Sequence, residues 1–153
     1  MGQVFRARGA AGAGSFAAWG VVAALLGACS LAVDERDEMA EQIYGRTWIA
    51  SQIDGQPVVP GIVSDLLIAA DGKVSGNAGC NSYFGSAIVD NDAMAFGNLG
   101  TTKKACPGPA MGQEDRMLQA LDSTRGYRLD QEDLLLLDAG GNTVLRLTLG
   151  QSA

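Results

Sequence analysis

Side chains that could carry out catalysis are scarce in this sequence. It contains no histidine, which is the commonest general base and the commonest transition-metal ligand. Glu114 and Asp115 come nearest to a carboxylate pair, but adjacent helix residues point about 100° apart, so we interpret them as solvated groups near a helix start. No serine is followed by lysine at the Ser-x-x-Lys spacing. The sequence therefore predicts a protein that is not an enzyme.

Three glycines, Gly72, Gly76 and Gly79, superficially suggest a phosphate-binding loop. Such a loop ends in lysine followed by serine or threonine, and no such pair follows here. We therefore interpret the glycines as positions of positive φ or of close approach between strands. The sequence predicts no cofactor and no metal site.

The charge balance argues against a nucleic-acid partner. The chain carries a formal charge of −6 at pH 7. Removal of residues 1–28 would remove Arg6 and Arg8 but no acidic residue, which leaves 9 basic against 17 acidic side chains and a charge of −8. A domain of this charge repels phosphate backbones.

The N-terminal 28 residues have the organisation of an export signal. Two arginines precede an apolar stretch over residues 16–28, which is shorter than the roughly 20 residues of a transmembrane helix. It runs into Leu26-Gly27-Ala28-Cys29, which resembles the lipobox of bacterial lipoproteins, where the cysteine receives a diacylglycerol. We predict a lipoprotein signal peptide over residues 1–28 and lipidation of Cys29. The alternatives are an ordinary signal peptide and a buried helix with an incidental cysteine.

Lipidation would place the protein in the bacterial cell envelope, facing the periplasm. Several acyl chains, at about 0.8 kcal/mol per buried CH₂ group, make such an anchor nearly permanent. Residues 29–44 are then expected to be the lipidated cysteine and a flexible tether, with a packed first helix as the alternative. Ser30, in place of aspartate, follows the cysteine. Resemblance to enterobacterial sorting rules makes this favour the outer membrane.

The two remaining cysteines, Cys80 and Cys106, form an even pair once Cys29 is assigned to lipid. Exported chains meet an oxidising compartment, so we predict a structural disulfide, which the chain-entropy model values at about 3 to 4 kcal/mol. Two free thiols, or a redox or metal-binding pair, are the alternatives. The lack of histidine and of a Cys-x-x-Cys spacing disfavours the special roles.

These groups must be positioned by a domain rich in β-structure. The predicted fold is mainly β with one α-helix, a small β-barrel-like or β-roll domain of about eight antiparallel strands over residues 45–150. Apolar residues three and four positions apart predict the helix at 110–123. Leu145, Leu147 and Leu149 alternate with other residues and are expected to face the core. Composition, alternation and turn signals such as Asp71-Gly72, a two-residue hairpin signal, predict strands at 47–54, 66–70, 73–77, 82–89, 93–96, 127–129, 134–137 and 143–149.

Two blocks of this domain resemble the META/HslJ family of small bacterial envelope domains. The first, residues 75–85, contains the sequence Gly-Asn-Ala-Gly-Cys-Asn and is similar to the central glycine-cysteine-asparagine signature of the family. The second has Thr102 four residues before Cys106, although Lys104 stands where the family usually has methionine. The matching residues, to which the resemblance gives a structural role, are Trp48, Gly76, Gly79, Asn81, Gly85, Thr102 and Glu114.

The resemblance also carries expectations about function. The family is associated with heat shock, antibiotic tolerance and secretion, and no general biochemical activity is established for it. We therefore expect a non-catalytic, membrane-anchored envelope lipoprotein module that contributes to envelope integrity or to stress and antibiotic tolerance. Its partners would be the membrane, through the N-terminal lipid, and an envelope protein that the sequence does not identify.

Two other functions follow from other features of the sequence. A barrel-like domain can hold a small apolar ligand in its mouth, and Trp48, Tyr83 and Phe84 could line such a cavity as in a lipocalin-like carrier, or simply fill the core. An inhibitor-like or chaperone-like domain could present the disulfide-closed segment 81–105 to a partner enzyme.

Overall fold

The computed structural model describes residues 41–150. The signal peptide predicted over residues 1–28, the lipidation site Cys29 and residues 30–40 of the predicted tether lie outside the described residues. In the described part, residues 41–43 are helical and are followed by ten strands and a helix. These are β1 (Thr47–Ile53), β2 (Gln56–Pro57), β3 (Asp65–Ile68), β4 (Lys73–Asn77), β5 (Ser82–Asp90), β6 (Ala93–Phe96), β7 (Gly100–Thr101), α1 (Ala110–Ser123), β8 (Gly126–Asp130), β9 (Asp133–Leu137) and β10 (Thr143–Leu149).

Eight of the strands form a closed antiparallel barrel. Around it the order is β1, β3, β4, β5, β6, β8, β9 and β10, and β10 pairs with β1 to close the sheet. The two-residue strands β2 and β7 add to β1 and β5. This architecture confirms the predicted fold class, a mainly β, barrel-like domain of about eight antiparallel strands with one helix.

The helix α1 packs beside the part of the barrel that has the fewest backbone hydrogen bonds. Strands β6 and β8 share a single residue pair, Ala93 with Gly126, and α1 contacts β6 as well as β10 and β1. Met117, Ala120 and Leu121 on its inner face are almost fully buried. Their spacing of three and four residues gives the helix one apolar stripe, which joins the barrel core.

The closing strand β10 departs from the predicted alternation. A bulge between Thr143 and Leu145 leaves two consecutive residues, Val144 and Leu145, buried. Leu147 is buried as expected, whereas Leu149 is 42% exposed. The expectation that Leu149 faces the core is therefore wrong, because this residue ends the strand at the rim of the barrel, where it lies opposite Trp48.

The β3–β4 hairpin is tighter at the strand end than predicted and longer in its loop. Ala69 donates its amide hydrogen to the Lys73 carbonyl (2.8 Å), and Gly72 donates to the Ala69 carbonyl (2.9 Å). Gly72 has φ +79°, which is typical of the last residue in a three-residue hairpin loop. The loop therefore comprises residues 70–72, and β3 ends at Ile68 instead of residue 70.

Residues 41–44, predicted as the end of the tether, belong to the folded domain. Ile43 is fully buried, and its carbonyl accepts a hydrogen bond of 3.1 Å from the Trp48 indole nitrogen. Tyr44 forms an isolated bridge with Ile68 of β3. The packed alternative is therefore correct for these four residues, because burial of Ile43 and of the Trp48 ring fixes the chain against the barrel.

Candidate functional site

The residues of the family motif meet where the β4–β5 connection faces the start of α1. Cys80 and Cys106 form a disulfide with a Cα–Cα distance of 5.9 Å, which confirms the predicted bridge. The bridge fixes the segment after β7 against the β4–β5 connection. Cys80 is buried, so the bond is part of the domain interior and excludes the free-thiol and metal-pair alternatives.

The Asn81 side chain is the centre of this site. Its Oδ1 accepts hydrogen bonds from the Thr102 hydroxyl (2.8 Å) and the Lys104 amide (2.7 Å). Its Nδ2 donates to the Lys104 carbonyl (3.1 Å) and to Oε1 of Glu114 (3.0 Å). An asparagine amide offers two donors and one acceptor oxygen with two lone pairs, so every hydrogen-bonding position of Asn81 is used within the domain.

Glu114 is buried and bonded, and not a solvated residue at a helix start. Only 5% of its surface is exposed. Its Oε2 accepts the Asn81 amide hydrogen (2.6 Å), and its Oε1 accepts from Nδ2 of the same residue. Our interpretation of Glu114 as a solvated group is therefore wrong, because two directed hydrogen bonds replace the water that a buried carboxylate would lose. The adjacent Asp115 is exposed, as we interpreted it.

Gln113 makes a second set of buried hydrogen bonds that the sequence analysis missed. Its Oε1 accepts from the Val59 amide (2.6 Å), and its Nε2 donates to the Ile62 carbonyl (3.1 Å) and the Ser64 hydroxyl (2.9 Å). Gln113 and Glu114 thus bind two different connections of the barrel. The available signal was the position of Gln113 four residues before Met117, on the apolar stripe of the helix.

The motif glycines lie where backbones or rings approach closely. A Cβ atom on Gly76 would lie 2.2 Å from the Asp65 carbonyl oxygen and 2.7 Å from the Tyr83 hydroxyl, which donates to that same oxygen at 2.8 Å. Gly79 has φ +135° and lies against the first turn of α1. A Cβ atom on Gly85 would lie 2.6 Å from a methyl carbon of Leu99. These contacts fit the interpretation of the glycines as positions of close approach.

The three aromatic residues proposed to line a ligand cavity do not come together. Trp48 and Tyr83 are 2% and 1% exposed and belong to the barrel core. Phe84 is 60% exposed, because neighbouring residues of a strand point to opposite faces. Its ring lies against Gly100 on β7, where a Cβ atom would be 2.7 Å from the ring. The carrier hypothesis therefore has no cavity formed by all three rings.

The segment 81–105, which a third hypothesis presents to a partner enzyme, contains β5, β6 and β7. Two of these strands are part of the closed barrel. The disulfide therefore closes off part of the barrel wall, and not a separate projecting loop.

Two tyrosines have buried phenol groups. Burial raises the pKa of Tyr83, and the nearby negative charge of Asp65 raises it further. Burial also raises the pKa of Tyr127, with smaller effects from Tyr44 and Asp92. The Tyr127 hydroxyl has no hydrogen-bond partner among the described residues, whereas the Tyr83 hydroxyl has one.

We expect the free energy of unfolding to decrease above about pH 10, by about 1.4 kcal/mol per pH unit from Tyr83. The unfolded chain releases this proton near the ordinary tyrosine pKa, whereas the folded domain retains it, so the full stability is present only below that pH. Urea unfolding of wild type and Tyr83→Phe between about pH 8 and 11 measures the effect. Tyr83→Phe should have a flatter profile and Tyr44→Phe an unchanged one. Parallel profiles for all three proteins would contradict this expectation.

Two searches for recognisable chemistry gave no result in the described part of the chain. Between residues 41 and 150, no three acidic, cysteine or histidine side chains are grouped so as to hold a metal ion. Over the same residues, no helix is long and apolar enough to cross a membrane.

Comparison with protein families explains why these residues occur together. The family model described as META domain matches residues 41–151, which is most of the chain and includes the Asn81–Glu114 site and the disulfide. The chain belongs to the META domain family. The match begins at residue 41, in agreement with the packing of residues 41–44 on the barrel of this META domain.

Solved structures contain similar barrels. An NMR structure of a protein from Burkholderia xenovorans is 28% identical, with a TM-score of 0.59, and the match covers 75% of this chain and 88% of that one. A second NMR structure is 21% identical, with a TM-score of 0.58 and coverage of 71% and 92%. A DUF4847 family protein from Bacteroides vulgatus is 17% identical, with a TM-score of 0.53 and coverage of 74% and 98%. The last two show a similarity of fold alone. No curated protein sequence matches this META domain.

Proposed function

We propose that this META domain is a non-catalytic binding module of the bacterial cell envelope. It is anchored by lipid at Cys29, with the outer membrane favoured, and contributes to envelope integrity or to stress and antibiotic tolerance through contacts with an envelope protein. The observation that carries the proposal is the sequence Leu26-Gly27-Ala28-Cys29 at the end of an apolar stretch, before a domain of this family.

The hydrogen bonds of the family motif support a structural role for the motif. A catalytic group needs a lone pair or proton directed at the substrate. The amide of Asn81 and both oxygens of Glu114 are already directed at each other and at the segment 102–104. The motif therefore stabilises the fold, and the function is expected on the surface that the fold presents.

The outer face of β5 offers a surface for a protein partner. Phe84 and Ile88 lie on the same side of this strand and are 60% and 75% exposed. Small residues surround them, with Ser75 and Gly100 beside Phe84 and Ala95 beside Ile88. Exposed aromatic and aliphatic groups of this kind are enriched at protein interfaces.

The tether restricts where such a partner can lie. Residues 30–40 separate the predicted lipid on Cys29 from the described domain, and a fully extended chain of this length spans about 36 Å. The domain would therefore remain within about 36 Å of the membrane surface. A partner that is itself in or on the membrane fits this reach.

Replacing Cys29 with alanine is expected to remove the membrane anchor completely, because the thiol is the acceptor of the lipid. The measurement is the intact mass and the membrane fractionation of the full-length protein, with Ser30→Ala as the matched control. Wild type and Ser30→Ala should carry acyl chains and sediment with membranes, whereas Cys29→Ala should do neither. Unchanged masses and unchanged sedimentation for Cys29→Ala would refute the lipid anchor.

The protein contact is tested separately by crosslinking in intact cells. Phe84→Glu with Ile88→Glu should lose a crosslinked partner that Thr143→Glu retains, since Thr143 is exposed at the start of β10, away from this face. A partner captured equally by both variants would exclude the β5 face as the contact surface.

A further inference from the structure

A groove lies between α1 and the segment that joins β6 to β7, separate from the motif site. Its volume is about 290 Å³, and the lining residues are Gly97, Asn98, Leu99, Thr101, Leu118 and Asp122. Pockets for drug-sized ligands begin at about 300 Å³. The groove therefore suits a single side chain better than a whole small molecule.

The two walls of the groove are apolar and firmly placed. Leu99 on the loop and Leu118 on the helix are half-buried and pack against the barrel core. The position of Leu99 depends on Gly85 of the motif, where any Cβ atom would collide with its side chain. The motif thus shapes a surface feature, because the missing side chain at Gly85 lets Leu99 approach β5.

The polar end of the groove has an excess of negative charge. The Asp122 carboxylate has no hydrogen bond or ion pair to any described residue; only its backbone carbonyl accepts a bond, from Arg125 (2.7 Å). The same Arg125 nitrogen also donates to the Thr124 carbonyl (2.7 Å). Asp122 lies in the last turn of α1, which contains no basic residue. The negative end of the helix dipole and the carboxylate therefore favour a cation at the same place.

We infer that this groove binds a lysine or arginine side chain of the partner protein. The methylene groups of that side chain would lie between Leu99 and Leu118, as the stems of long basic residues do on apolar surfaces. The cationic head would reach Asp122. The net negative charge of the chain would attract a basic segment of the partner and orient it. This inference rests on the proposed function and specifies the chemistry of the partner.

The test is an NMR titration of the full-length chain in detergent micelles, with ¹³C-labelled leucine methyl groups. The probes are acetyl-Ala-Lys-Ala amide and the matching peptide in which norleucine, which has no charge, replaces lysine. The lysine peptide should shift the methyl signals of Leu99 and Leu118 in a saturable way. Binding should be about fivefold weaker for the norleucine peptide, since an ion pair of partial exposure contributes at about this level.

Asp122→Asn should weaken binding of the lysine peptide by about the same fivefold. The matched control is Asp54→Asn, which removes one exposed carboxylate in the β1–β2 turn, where φ +50° suits asparagine. Equal affinity for the two peptides, no shift at the two leucines, or an Asp122→Asn protein equal to wild type would overturn the inference. Shifts that depend on protein concentration without peptide would assign the groove to a second copy and also overturn it.

The two proposals can fail independently. Loss of the crosslinked partner in the β5-face variant, combined with a failed titration, would leave the binding module in place and remove only the groove as its contact. A successful titration with no lipid on Cys29 would support the groove and refute the anchored module.

Discussion

Replacing Asn81 with alanine is expected to lower the free energy of unfolding by about 3 kcal/mol. The change removes four side-chain hydrogen bonds, to Thr102, Lys104 and Glu114. The Glu114 carboxylate then stays buried with one bond fewer, and an underpaired buried charge is among the most destabilising defects in a protein. The measurement is urea unfolding near neutral pH, followed by fluorescence of the buried Trp48.

Asn98→Ala is the matched control for that measurement. Asn98 is exposed, and its side chain makes no hydrogen bond in the described part of the chain, so its replacement should change the free energy of unfolding by less than about 0.5 kcal/mol. Two variants with equal losses would mean that the Asn81 network adds little beyond ordinary surface contacts.

Removal of the disulfide by Cys80→Ala with Cys106→Ala is expected to cost about 3 to 4 kcal/mol. The bridge connects residues 26 positions apart, and its loss releases the loop entropy of the unfolded chain. Unfolding of this double variant, compared with wild type under oxidising and reducing conditions, measures the effect. Reduced wild type should match the variant, because the same crosslink is absent from both.

The bridge and the Asn81 network hold the same segment, so their effects should not add. Combining Asn81→Ala with the double cysteine variant is expected to cost less than the sum of the separate losses, since residues in contact through one segment are energetically coupled. A loss below about 1 kcal/mol for the cysteine variant alone would mean that the network holds residues 102–106 without the crosslink.

The elements with strong local patterns could be predicted from the sequence. The strands β4, β6 and β10 and the helix α1 begin and end where periodicity and turn residues placed them. Such signals depend on neighbours within a few residues and need no knowledge of the fold. The two-residue strands β2 and β7 gave no such signal, because two residues cannot display an alternation.

The site could be predicted only in part, because its contacts join distant parts of the chain. The disulfide followed from counting cysteines in an exported protein, whereas the contact of Asn81 with Glu114 spans 33 residues and leaves no local pattern. Glu114 was misread for the same reason. A glutamate near a helix start is ordinarily solvated, and only the β4–β5 connection above it makes this one an interior residue.

Barrel closure by β1 and β10 affects how the domain is made as well as how it stands. Trp48 and Ile53 pair with Leu149 and Leu145, which are synthesised and exported about a hundred residues later. Until then β1 and β9 each present an unpaired edge, and such edges bind other unfolded chains. Contacts of this separation also slow folding. An exported chain of this fold therefore stays open, and exposed to chaperones and proteases, until its closing strand emerges.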